Sequence, residues 1–494
     1  MTTNFTGNQI RIDFNEYIKI KDVNKQLIIS PPMNTAPDIV PTGSASKYIN
    51  IKIKDTLQPN TTYAFNFGQS ITDNNEGNPY SQFKFVFSTG AYIDSLTLNG
   101  RIRDAYSKET DDFVSVMLYE ANEKFNDSTI YKEKPRYVTN TLDSVVDYSL
   151  QNLKEGKYFL VAIKDKNSNY RFDPKNDKIG FLPKPITIPT DTLYVLDLFS
   201  EVRPFKVLKP LQASQNKLFV PYEGDPRGTK ATVRNGSEIL PSVLTKVEDR
   251  DSLRLWIPRD IKADSLLVSA GKGDDMKDFT VRIKELKTID SLSVRALQSG
   301  GLNFREKFTL SLSTPLVNID NSKISLIKKD SSAVAFTTRY NDYEQKLEFD
   351  FVKEEEQAYT FMLMPGAMRD FYGKENDTLS YKLRTLTYAD YGNLRISLEN
   401  VNRFPLILQI TNAKGDVQAE YYSEGQTQIN FDAIKPDKYM LRVIYDDNKN
   451  REWDTGDYLQ KRQPEEVIYY TNGKDDLIDV RANWDVEQPF NLGG

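Results

Sequence analysis

The sequence predicts an all-β chain of antiparallel sandwiches in tandem, and three observations carry that prediction. Apolar residues recur at every second position through almost every apolar segment, which is the pattern of a strand with one face buried and the other wet. Turn formers separate these segments at short intervals. No stretch longer than about two turns holds a clean helical period. Strands that are apolar on one side must bury those sides against each other, so two-sheet sandwiches follow.

Taken in order, the alternating segments are residues 9–14, 48–53, 95–100, 253–257, 279–283, 394–398 and 428–431. Polar turns lie between them at 34–41, 235–237, 271–274, 413–416 and 471–474. One element occurs twice, at 153–165 and at 434–446: a turn, then Tyr158 or Tyr439, an alternating strand, and a loop rich in Asp and Asn. A weaker pair matches 9–90 with 301–386 through a tyrosine strand (57–67 and 358–363), an Asp-Gly turn (73–79 and 370–374) and a closing strand (83–87 and 379–383). Residues 204–287 match neither type. The order is therefore A-B-C-A′-B′, with modules at 1–92, 93–203, 204–287, 288–386 and 387–494, about 100 residues each and at the mode for domains.

Composition closes several kinds of chemistry. The 494 residues contain no histidine and no cysteine, which excludes Ser-His-Asp and Cys-His nucleophiles, Cys/His zinc sites, haem ligation, iron–sulfur clusters and disulfides. Oxygen ligands remain, and these suit calcium or magnesium. With 65 basic and 70 acidic residues the net charge is −5, so no basic excess exists for nucleic acid. The apolar runs are of strand length, and the first residues have neither the basic region nor the apolar core of a signal peptide.

The first module resembles the bacterial Ig-like domain named from S-layer proteins. The resemblance rests on the strand ending Phe14-Asn15-Glu16, the proline turn into Thr62-Tyr63, the turn Asp73…Gly77-Asn78-Pro79, and the closing residues 85–90. It covers residues 1–92 well and 288–386 loosely, where Lys374 follows Gly373 and no proline turn precedes Tyr359. It implies that the Asp-Gly-Asn turn links two strands and is not an active site. Residues 14–22 and 29–33 resemble in particular the N-terminal domains of Bacteroidota envelope lipoproteins. That likeness implies a lipobox cysteine and one further strand ahead of this sequence, with residues 1–8 too short to supply the strand. The B modules resemble transthyretin-like and carboxypeptidase-regulatory sandwiches in their turn–Tyr–x–Leu entry, a likeness of scaffold only.

One constellation carries chemistry. Asp165, Asn167, Asn169 and Asp173 in B, and Asp446, Asn448, Asn450 and Asp454 in B′, have the spacing of positions 1, 3, 5 and 9 of a calcium loop. Position 12 falls on Asp457 in B′, and on Asn176, with Asp177 next, in B. Position 6, glycine where the turn is sharp, is Tyr170 or Arg451, and no helices flank the loops. Ca²⁺ is the one cofactor these residues point to; the competing reading is a long hairpin turn whose Asp and Asn side chains serve the local backbone. Tyr158 and Tyr439 read as packing devices that bury a ring and return a hydroxyl to the backbone.

The acidic runs Asp111-Asp112, Asp274-Asp275 and Glu354-Glu355-Glu356 raise glycoside hydrolysis, but acidic runs are usually solvated faces. The sequence shows no catalytic constellation and no phosphate loop. Three functions remain. The first is a non-catalytic structural or interaction lipoprotein of the bacterial cell envelope, anchored by an N-terminal lipid and docking to other envelope or outer-membrane proteins. The second is a calcium-dependent glycan-binding or adhesive surface protein, in which Tyr421-Tyr422, Tyr469-Tyr470 and Trp484 would meet sugar. The third is a hydrolase using carboxylates alone. The first is favoured; docking by edge strands or module faces is expected.

Overall fold

The computed structural model describes residues 2–81, 83–141, 145–259 and 261–493. Strand dominates, and the α-helices among these residues are the single turns Val23–Gln26 and Thr129–Lys132. No helix among them is long and apolar enough to cross a membrane. Residues 1–201, 404–407 and 442–469 form one compact unit, and residues 202–403, 408–441 and 470–494 form a second.

In the first unit, Gln9–Ile20 pairs with Ser46–Lys52 and Ile71–Asp73, while Asp38–Val40 adds an outer strand to Ser46–Lys52. A three-stranded sheet of Ile28–Ser30, Thr62–Asn66 and Lys84–Ser88 faces it. The period-two residues Ile10, Ile12, Ile49 and Ile51 meet Phe65, Phe67 and Phe87 between the two sheets. Residues 2–5 run beside the closing strand: Phe5 N–H donates to Ser88 O at 3.0 Å, and the Phe5 ring lies 4.6 Å from Phe87.

The next sandwich of this unit sets Leu96–Asp104, paired antiparallel with Asp147–Leu153 and parallel with Tyr194–Leu198, against a five-stranded sheet centred on Ser115–Glu120 and Gly156–Lys164. Leu98, Ile102, Val116, Leu118, Tyr158 and Leu160 fill the space between them. The outer face of the larger sheet is buried as well. Met117, Tyr119, Val161 and Ile163 pack there with Phe172, Phe181, Phe199 and Tyr458. Gly156–Lys164 is thus apolar on both sides, so strict alternation fails in residues 159–163; a strand covered twice has no wet face to mark.

The second unit repeats the sandwich plan. Lys217–Glu223, Ser252–Trp256 and Val243–Lys246 form one sheet, and Lys230–Asn235, Ser265–Lys272 and Asp275–Arg282 form another, closing on Leu218, Val220, Val233, Leu255 and Val268. Val294–Ala296, Phe308–Leu312, Lys346–Phe351 and Phe336–Asn341 then face Leu379–Arg384, Ala358–Leu363 and Ile324–Lys328 across Phe308, Phe349, Tyr359 and Phe361. Gly392–Glu399 pairs antiparallel with Gln428–Ile434 and parallel with Asp485–Asn491.

Candidate functional site

Both Asp/Asn loops begin where a tyrosine strand ends. Tyr158 donates its hydroxyl to Lys154 O at 3.1 Å, and Tyr439 to Lys435 O at 2.7 Å. Both rings are buried, and burial raises both phenol pKa values, that of Tyr439 to about 12. These are packing tyrosines, as the turn–Tyr spacing predicts.

In the first loop Asp165 accepts N–H bonds from Asn167 and Tyr170 at 3.1 and 2.6 Å. Asn169 Oδ1 accepts from Arg171 N–H, and Asp173 accepts from Lys175 N–H and the Asn176 amide. Asp177, 2% exposed, closes the loop by accepting from Lys166 N–H and Asp173 N–H at 3.0 and 2.9 Å. Burial pushes the Asp165 carboxyl above its ordinary range, against the pull of its N–H donors.

The second loop reproduces this. Asp446, fully buried, accepts from Asn450 N–H and Arg451 N–H at 3.1 and 2.9 Å. Asn448 and Asn450 both turn their amide N–H groups to Asp454 Oδ2, each at 2.6 Å. The sharp turn expected of a position-6 glycine is made by Tyr170 at φ +57° and Arg451 at φ +67°. The closing carboxylate is Glu465, which accepts from Asp447 N–H and Asp454 N–H at 2.8 and 3.0 Å, the counterparts of the two donors to Asp177. Position counting selects Asp457 for this role; the structure gives it to Glu465, because this loop is longer. Asp457 instead caps its own turn: its carboxylate accepts from Gln460 N–H, and its backbone bridges to that of Arg462.

The oxygens that would face a cation are therefore engaged by N–H donors, and two of the amides present nitrogen to Asp454. Among the described residues no group of three or more acidic side chains gathers at metal-binding distance. As arranged, the donor set serves the backbone.

The segment beyond Asp446 also holds its unit together. Tyr458, 3% exposed, sets its ring 5.1 Å from Phe181 and 6.1 Å from Tyr131, and its N–H donates to Glu201 at 2.6 Å. Thr455 donates to Ser200 O, Gln463 to Phe181 O, and Lys461 pairs with Asp127 at 2.6 Å. Trp453 packs on Tyr106 at 4.7 Å, and the buried Arg442 lies 4.2 Å over the same ring while donating to its hydroxyl. Gly456 is required here, since a Cβ would come within 2.5 Å of the Phe199 ring.

The other sequence candidates are dispersed. Asp111 shares Lys178 with Asp104, each at 2.6 Å; burial works against the ammonium, but the two carboxylates outweigh it and raise its pKa. Asp275 lies in a hairpin opposite Lys272, and Glu354 pairs with Lys328. Tyr469 donates to Tyr106 O, Tyr470 packs edge-on against Phe490, and Trp484 stays 52% exposed beneath Arg481. Spacing alone misses Glu465, Trp453 and Tyr458; their only sequence signal is an aromatic and acidic stretch directly after the loop.

Residues 1–89 match the family described as Bacterial Ig-like domain. No curated protein matches the chain. Among solved structures, an S-layer protein, rSbsC, is 13% identical over 96% of this chain and 66% of its own, with a TM-score of 0.16. A chimeric titin Z1Z2 is 13% identical over 38% of this chain and 97% of its own, with a TM-score of 0.17. Tandem Ig repeats of Dlar are 13% identical over 37% of this chain and 97% of theirs, with a TM-score of 0.13. These overlays are loose, and the sandwich assignment rests on the sheets themselves and on the family match.

Proposed function

We propose that this protein is a non-catalytic structural and interaction component of the bacterial cell envelope, a lipoprotein that docks to an outer-membrane protein assembly. The observation that carries the reading is the use to which the chain puts its chemically suggestive residues. Both Asp/Asn loops satisfy their own backbone, and the residues after the second loop pack inside their unit, where they join parts far apart in sequence. A bacterial Ig-like domain at residues 1–89 supports a surface or envelope setting.

Docking would use outer strands. Asp275–Arg282 is the outer strand of its sheet and is mostly exposed, and Asp38–Val40 is a second such edge. An outer strand offers backbone N–H and C=O groups to a partner strand. Affinity capture of the tagged protein from native membranes, solubilised in mild detergent, should bring down a companion at fixed stoichiometry. Recovery from the soluble fraction, or from membranes without any companion, would overturn the proposal.

A further inference from the structure

The second unit contains a cleft of about 510 Å³ between the sheet of Lys217–Glu223 and Ser252–Trp256 and the sheet of Phe308–Leu312 and Lys346–Phe351. That volume suits a small polar ligand. Five cations line it: Lys217, Lys246, Arg254, Arg295 and Lys346. The carboxylates along it are Glu248, Asp290 and Glu344. In a chain of net charge −5 this is a local positive excess.

The acids are committed unevenly. Asp290 pairs with Lys217 at 2.7 Å and accepts from Ser214, while Glu248 and Glu344 both serve Lys346 at 3.5 and 3.2 Å. Among the described residues, Arg254, Lys246 and Arg295 have no carboxylate at ion-pair distance. Arg254 is the central one. It stands in register between Phe219 and Thr245 on the neighbouring strands, half-buried, and donates through Nη1 to Gln345 Oε1 at 3.2 Å. Gln345 is 1% exposed, and its own Nε2 donor has no hydrogen-bond partner.

A half-buried guanidinium with no carboxylate at ion-pair distance keeps unused charge-assisted donors, and its planar fork suits a two-oxygen acceptor. Burial lowers the Arg254 pKa, with Glu248 and Asp290 acting on it in the opposite sense. The pairing of Asp290 with Lys217, Ser214 and Asn216 fixes one wall of the cleft before any ligand arrives.

We infer that this cleft binds a small oxyanion (phosphate, sulfate or carboxylate), with Arg254 as the principal donor and Lys246 and Arg295 at its rim. The proposal is independent of the docking function, because none of these residues belongs to an outer strand named there.

The test is calorimetric titration of the full-length protein at low ionic strength with inorganic phosphate, sodium sulfate and sodium glucuronate, and with glucose as a neutral control. At least one oxyanion is expected to bind and glucose not to. The stronger of phosphate and glucuronate then identifies a free inorganic anion or an acidic sugar as the source. Lys246→Ser with Arg295→Ser changes only exposed side chains and should weaken binding about tenfold, as expected for the loss of charge-assisted contacts. Arg254→Gln should abolish binding while circular dichroism remains that of the parent. Absence of binding by all three anions, or unchanged affinity in the exposed double variant, would overturn the inference.

Discussion

Thr385 makes around its hydroxyl the hydrogen bonds that Thr89 makes in the first module. Thr89 Oγ1 accepts from Thr61 N–H at 2.9 Å and donates to Gln58 O at 2.7 Å. Thr385 Oγ1 accepts from Gln357 N–H at 3.1 Å and donates to Glu354 O at 2.5 Å. The tyrosines obey the same shift along the chain, with Tyr63 OH accepting from Gln58 N–H and Tyr359 OH from Glu354 N–H. Residues 354–385 thus preserve, bond for bond, a corner of the sandwich at 58–89, although their sequences are only loosely alike.

Replacing either threonine by valine keeps the shape and removes both bonds. At Thr385, which is fully buried, the N–H of Gln357 would be left without its acceptor. Thr385→Val is expected to cost about 1–3 kcal/mol, read as a shift of the denaturant midpoint of the unit that carries it. A change below about 0.5 kcal/mol would mean that the corner contributes only geometry.

Tyr458 predicts a larger effect. Truncating an aromatic ring buried among Phe181, Tyr131 and Phe199 removes its packing and opens a cavity, at a cost of about 3–5 kcal/mol. Tyr458→Ala should also release residues 446–465 to protease at times when the parent is uncut. If the parent is cut there equally fast, the packing described does not hold in solution.

The loops themselves predict indifference to calcium. Their carboxylates are already bonded to N–H donors, so the unfolding temperature is expected to be the same in chelator and in millimolar Ca²⁺. A rise of several degrees with Ca²⁺, lost in Asp446→Ala with Asp454→Ala, would restore the metal reading of both loops.

Glu465 predicts a pH dependence. Burial raises its pKa, and the N–H groups of Asp454 and Asp447 only partly oppose this. A raised carboxyl pKa means that the folded state binds more protons than the unfolded one above the ordinary glutamate value of about 4.3. Its contribution is therefore complete in acid and falls away as pH rises through the folded value. Glu465→Gln should flatten the decline of unfolding temperature as pH rises above the ordinary glutamate value; an unchanged slope would show that another group sets it.

Much of this was legible in the sequence where the physics is local. Period-two segments place Gln9–Ile20 and Ser46–Lys52, and the turn–Tyr spacing places Tyr158 and Tyr439. Loop spacing identifies Asp165 and Asp446 as equivalent, and they are. It does not find Glu465, which closes the second loop eight residues beyond Asp457, because position counting assumes loops of equal length. It also says nothing about why Gly156–Lys164 is apolar on both faces, since Tyr458 reaches that sheet from far along the chain. The cleft cations are similarly hidden, being scattered from Lys217 to Lys346 until pairing of strands gathers them.

The return of residues 442–469 to a unit begun by residues 1–201 has a consequence for biosynthesis. A ribosome emits the N-terminal sheets long before it emits Tyr458 and Trp453. Until then Phe181, Phe199 and Tyr131 lack their cover, and a sticky apolar face is presented by a nascent chain that already extends past residue 403. Such a chain would depend on holding factors during synthesis or passage, and a stop codon introduced shortly before residue 442 should yield aggregates in place of a shortened soluble protein.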